Sequence, residues 1–313
     1  MLVYAGEALA RYGFGDGHPF GPDRFYAFWR AFQAKGLEQQ CQVLSPVLGE
    51  RDDLLLFHTP EYIDRVAQMC AQGWGMLDPD TPVFDGAFEA ALTVVGTVLD
   101  AVNRLVNGVE QGAFVPIAGL HHARRNGSAG FCIFNDCGIA IEALRRRYGI
   151  QRIAYVDIDA HHGDGVFYSY EADPELLLVD LHQDGRTLYP GTGHAYETGK
   201  GVAAGTKMNI PLPPGADDRH FFARWPEIAE FIAAGAPEFI LLQCGADSIA
   251  GDPLTSLAFS SAVHHHAAKE LSGIARRVGA KGLLGVGGGG YNRNNIAIGW
   301  TAVVQGILEM EEK

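Results

Sequence analysis

The chain has 313 residues, 47% of them hydrophobic and 40 of them glycine, with 24 Lys and Arg against 37 Asp and Glu for a formal net charge of −13. This composition excludes a disordered or fibrous chain and suits a large folded core, and the acidic balance argues against nonspecific binding to nucleic acid or an anionic membrane. An odd, scattered set of cysteines without a CxxC pair (Cys41, Cys70, Cys132, Cys137, Cys244), no basic-then-apolar leader and no run near the roughly 18 apolar residues of a membrane span predict a reduced, soluble, cytoplasmic protein.

Residues 12 to 24, which include His18 and Arg24, are dense in Gly and Pro and read as a loop. An amphipathic helix follows, from 25 to 35. At Phe57-His-Thr-Pro-Glu-Tyr a threonine cap and a first-turn proline open another helix. Leu77-Asp-Pro-Asp80-Thr-Pro is a turn-rich loop ahead of a long helix from 86 to 107. From there strands and helices alternate: strand 113 to 117, helix 135 to 148 with three terminal arginines, strands 152 to 157 and 176 to 181, helix 218 to 234, strand 238 to 244, helix 260 to 278, strand 282 to 286 and helix 293 to 311. Such alternation predicts an α/β fold with a mostly parallel sheet covered on both faces. With no repeat, linker or low-complexity tract, one domain over 1–313 is expected.

Polar clusters follow several of these strands, where open α/β sheets gather ligands. The richest is Asp157-Ile-Asp159-Ala-His161-His162-Gly-Asp164, after an apolar β-branched run. Residues two apart in a strand share a face, so Asp157, Asp159 and His161 can line one side. Asp and His in that spacing suit Zn²⁺ or Mn²⁺ better than a simple helix cap, for which one Asp is enough. Asp247, in Gln243-Cys-Gly-Ala-Asp247, is either a cap or a third ligand. Three protein ligands leaving one position open would make a catalytic site rather than a structural one. His121-His122 could bind metal, transfer protons or lie on the surface; beside so many carboxylates, proton transfer is favoured. In Val286-Gly-Gly-Gly-Gly290-Tyr291 the glycines match no phosphate loop, but they allow a close backbone approach that would bring the Tyr291 hydroxyl to a substrate. No Gly-x-Ser-x-Gly elbow occurs. His264-His265-His266 falls in a helix and is expected to be solvated.

The order Gly-His-Pro, Leu120-His-His-Ala, Gly130-Phe131-Cys-Ile-Phe-Asn-Asp136, Asp157-Ile-Asp-Ala-His-His-Gly-Asp-Gly, Tyr189-Pro-Gly-Thr-Gly, Gly245-Ala-Asp-x-x-x-Gly-Asp-Pro and Gly-Gly-Gly-Gly-Tyr-Asn resembles the zinc-dependent histone deacetylase superfamily. That group takes in bacterial acetoin-utilisation proteins and acetylpolyamine amidohydrolases. The resemblance implies an arginase/deacetylase-type three-layer α/β sandwich that hydrolyses an N-acyl amine. It implies zinc ligands at Asp159, His161 and Asp247, a proton-transfer pair at His121 and His122 oriented by Asp157 and Asp164, and an oxyanion donor at Tyr291. Phe131, with Gly130 before it, and Tyr189 would flank an acyl-lysine tunnel. Asp80 matches a rim residue gripping the substrate backbone, Arg24 an arginine beside an acetate exit path, and His162 a histidine that is not a ligand. Structural K⁺ ions are implied near Asp157, Asp159 and His161. A binuclear manganese site of the arginase type would need carboxylates at the positions of Gly163 and Ile249. Polyamine-preferring relatives carry a rim carboxylate where this chain has Leu254, so acyl-lysine in a peptide or protein is the expected substrate. Acetylpolyamines or other small N-acyl amines are the alternative, toward which the net charge leans.

Overall fold

A computed structural model describes residues 1–15 and 17–311, with side chains through Glu309. Asp16, inside the loop expected at 12 to 24, lies outside the described residues. The strands are β1 (Leu2–Tyr4), β2 (Gln42–Leu44), β3 (Met76–Asp78), β4 (Thr81–Pro82), β5 (Gly112–Val115), β6 (Ile153–Asp157), β7 (Leu176–Gln183), β8 (Lys207–Leu212), β9 (Phe239–Gln243) and β10 (Leu283–Val286). Eight of them form one sheet in the order β2-β1-β5-β10-β9-β6-β7-β8, and every pairing is parallel. β5, β6, β9 and β10 are buried along their whole lengths, as strands covered on both faces must be. Helices Asp23–Ala34, Ser261–Val278 and Arg293–Glu311 pack together, while Ala87–Val106 packs against Asp136–Tyr148, so two helical layers flank the sheet.

One consequence of the strand order governs the site. β5, β10, β9 and β6 are consecutive neighbours at the sheet centre. Being parallel, they deliver all four polar clusters to the same edge.

Most expected elements are present, and the departures have local causes. The first long helix begins at Asp23, so Arg24 sits in its opening turn rather than in the loop; Gly21-Pro22 ends the loop two residues early. The loop expected at 77 to 82 is the β3–β4 hairpin, closed where Asp78 Oδ1 accepts the Asp80 N–H. Three strands and the helix Asp164–Tyr170 had no clear sequence signal. β1 and β2 have three residues each, and β8 opens on a lysine whose buried ammonium donates to the carbonyls of Asp173 and Leu176. The histidine triplet is only partly solvated, contrary to expectation. His264 is fully buried with Nε2 3.0 Å from the Gly245 carbonyl, because it points inward to the turn after β9, whereas His265 meets Glu309 near the surface. No helix among the described residues is long and apolar enough to cross a membrane. Cys70, Cys132, Cys137 and Cys244 are free thiols, the last three of them buried.

Candidate active site

Asp159 and His161 follow β6, and Asp247 lies in a 3₁₀ turn after β9. All three are buried, and one donor atom from each lies within 4.8 Å of the others. His161 Nδ1 stands 3.1 Å from Asp159 Oδ1 and 3.1 Å from Asp247 Oδ2. Burial opposes a charge on this imidazole, but hydrogen bonds to Asp159 and Asp247 outweigh it and carry the pKa up to about 10. Burial, then the charge of Asp159, pushes the Asp247 carboxyl upward. The donor set fits a divalent cation, which would balance two adjacent buried carboxylates. The walls fit it as well: a Cβ at Gly245 or at Gly289 would collide with the Asp159 and Asp247 oxygens, so only glycine leaves room for them. Gly163 and Ile249 bring no further donor, and among the described residues no other His, Cys or carboxylate joins the group.

His121 and His122 lie beside it, after β5. Their Nε2 atoms are 3.1 Å apart, and each Nδ1 is anchored on a carboxylate, His121 on Asp157 (2.8 Å) and His122 on Asp164 (2.7 Å). Asp157 also accepts from the Tyr155 hydroxyl at 2.6 Å. Burial works against charge on both rings. At His121 the charges of Asp157 and Asp159 overcome it and raise the pKa to about 10; at His122 burial and the His121 charge together lower it to about 4. A positive charge on the pair is therefore favoured on His121 over His122.

Tyr291 completes the cluster from the β10 side. Burial, then Asp247 and Asp159, raises its phenol pKa well above the usual value, so the hydroxyl stays a donor. The glycine turn before it is clamped by fully buried Arg24, whose Nη2 and Nε donate to the carbonyls of Gly288 (2.6 Å) and Gly290 (2.8 Å). Arg24 Nη1 has no partner among the described residues, and burial lowers the guanidinium pKa to about 10.

A histone deacetylase domain pattern matches residues 18–307. The chain belongs to the histone deacetylase family. It is 33% identical to the acetoin utilization protein AcuC of Bacillus subtilis, over 93% of this chain and 77% of that one. It is also 33% identical to histone deacetylase clr6 of Schizosaccharomyces pombe, over 98% and 76%. Among solved structures it is similar to the HD domain of HDA15, with a TM-score of 0.90 and 26% identity over 99% of this chain and 89% of that one.

Around the mouth of this histone deacetylase fold, Tyr189 is 45% exposed, its ring centroid 5.2 Å from that of His122 and 6.4 Å from that of His161. Phe131 faces Tyr291 at 5.8 Å and His18 at 4.6 Å. Both Gly130 and Phe131 have positive φ, and a Cβ on Gly130 would collide with the His122 ring, which explains the glycine. The β3–β4 hairpin meets this loop where the Phe131 N–H donates to Thr81 Oγ1, and neighbouring Asp80 accepts from His18 through its carbonyl. Leu254 is 40% exposed on the segment after Asp252, whose carboxylate accepts the Tyr291 N–H. His162 stays outside the three-donor group, with Nδ1 2.8 Å from Thr192 Oγ1.

Sequence reasoning assigned no task to three residues that hold this arrangement. Asn135 Nδ2 donates to the carbonyls of His121 and Ala123, and Asp136 accepts the N–H groups of Gly119 and Leu120. Gln243 links Asp159 to the His121 loop. All three stand inside the motifs quoted above, but spacing along the chain carries no sign of these cross-strand bonds.

Proposed function

We propose that this chain, acting as one catalytic domain over 1–313, is a zinc-dependent lysine deacetylase of peptides or proteins. The observation that carries the reading is the convergence of Asp159, His161 and Asp247, each buried, beside a histidine pair anchored on two carboxylates. Asp159, His161 and Asp247 would hold the zinc, which when bound polarises the amide carbonyl and acidifies a water. Neutral His122 accepts a proton from the attacking water, a role worth roughly 10²–10⁴ in rate. His121, held charged by Asp157, supplies positive charge beside the developing oxyanion, and Tyr291 donates a hydrogen bond to it. His122 then passes its proton to the leaving amine. Asp157 and Asp164 fix the two imidazoles by their Nδ1 bonds. Phe131 and Tyr189 line the approach for a four-carbon stem, and Arg24 stands behind the glycine turn where acetate would leave. The proposal extends to K⁺ beside Asp157, Asp159 and His161, and to a cytoplasmic setting that suits the free thiols of Cys70, Cys132, Cys137 and Cys244.

The test is acetate release from an acetyl-lysine peptide, stopped by a hydroxamate chelator and reduced about 10²–10³-fold in kcat by Tyr291→Phe, the usual cost of losing one oxyanion donor. Full activity in that variant overturns the mechanism.

Hydrolysis of acetylpolyamines keeps one observation in its favour. Asp78 and Asp80 lie near enough to Tyr189 to add, after burial and Asp164, to the upward pull on its phenol pKa, so the mouth offers negative charge to a second amine. Leu254 offers none. Comparing kcat/KM on acetylspermidine and on acetyl-lysine peptides separates the two substrates.

A further inference from the structure

Gln243, the last residue of β9, is fully buried and both polar atoms of its side chain are engaged. Its Oε1 accepts the Gly245 N–H at 2.9 Å. Its Nε2 donates to Asp159 Oδ2 at 2.9 Å and to the Gly119 carbonyl at 3.2 Å, and stands 3.3 Å from His121 Nδ1. One amide therefore touches the segment after β6, the turn leading to Asp247, and the loop carrying His121 and His122. The fourth strand end closes over it: a Cβ on Gly288 would collide with the same amide.

This contact makes the two oxygens of Asp159 unequal. Oδ2 is taken by Gln243 Nε2 and by the Gly289 N–H at 2.8 Å. Oδ1 lies with His161, accepting its N–H at 2.9 Å and standing 3.1 Å from its Nδ1. Among the described residues no other side chain donates to Oδ2. We propose that Gln243 is a positioning residue: by sharing Oδ2 with the Gly289 N–H it helps make Asp159 present Oδ1 alone to a divalent ion, and so tunes the affinity and coordination number of the site. The inference rests on the metal-centre reading above.

Metal-free wild type, Gln243→Met and Gln243→Glu are titrated with Zn²⁺ against a chromophoric chelator, and with Co²⁺ followed by visible absorption. Methionine keeps the volume and removes every hydrogen bond; glutamate keeps the acceptor for Gly245 and removes the donor to Asp159. Each variant is expected to bind Zn²⁺ about 10–100-fold more weakly, the usual effect of losing a partner that orients a ligand. The Co²⁺ absorption is expected to weaken as Asp159 turns to two-oxygen binding and the coordination number rises. Wild-type affinity with an unchanged cobalt spectrum, in either variant that folds by circular dichroism, overturns the inference. Failure of both to fold marks Gln243 as a core residue only and overturns it too. If wild type itself binds no divalent ion, the metal-centre reading fails instead, so the two failures are distinguishable.

Discussion

At Gly130 a single hydrogen atom in place of a methyl group decides where the His122 ring can sit. The residue has φ +54°, and its absent Cβ is the space that the His122 ring fills. Gly130→Ala would strain the backbone and displace His122 from the Nε2–Nε2 contact with His121. We expect deacetylation to fall by about 10²-fold or more, the scale of a lost general base, with the far-UV circular dichroism unchanged. Activity near wild type would mean that the ring tolerates displacement. The residues that converge at the candidate site were readable in the chain because each belongs to a short run of unusual composition. The reasons for their precise seating were not, since Gly245 and Gly289 both meet Asp159, which lies in a different strand-end segment far away along the chain.

The helix Asp136–Tyr148 shows what an element adds. Its N-cap Asn135 accepts the Gly138 N–H, an ordinary local cap. The same two residues at its start also hold the loop from Gly119 to Ala123 by four hydrogen bonds. Asp136→Asn would set an amide N–H₂ against one of two buried backbone N–H groups. A loss of about 1–3 kcal/mol is expected from an unsatisfied buried donor, read by chemical denaturation, together with a lower kcat; a change in neither would show the clamp to be dispensable. Local signals of this kind were legible: the Thr59 cap with Pro60 at the first position begins a helix where expected, with Tyr62 N–H donating to Thr59. Three-residue strands were not, because β1 and β2 are too short for a period to develop and are extended only through pairing. His264 was misjudged for a related reason. A helical histidine is solvated or buried according to what packs on its side, and for His264 that neighbour is the turn after β9 at Gly245.

Across the whole molecule, a metal held by Asp159, His161 and Asp247 would tie the segment after β6 to the turn after β9. An ion that binds only the folded chain stabilises it by about 2.7 kcal/mol when its free concentration is 100 times its Kd. Dialysis against a chelator should therefore lower the thermal midpoint by several degrees, and added Zn²⁺ should restore it; an unchanged midpoint would count against tight binding.

The sequence by itself determined the α/β class, the family and the residue types that gather at the candidate site, because all three are written in short-range patterns: alternating apolar segments, caps, and clusters of Asp, His and Gly. Only the tertiary structure decided how these clusters meet. The order β5-β10-β9-β6 is a property of strand pairing, and no local preference encodes it. That order sets four loops side by side, lets Gln243 and Asp136 bridge them, and drives the pKa of His121 up and that of His122 down, since burial and neighbouring charge exist only once the chain is folded.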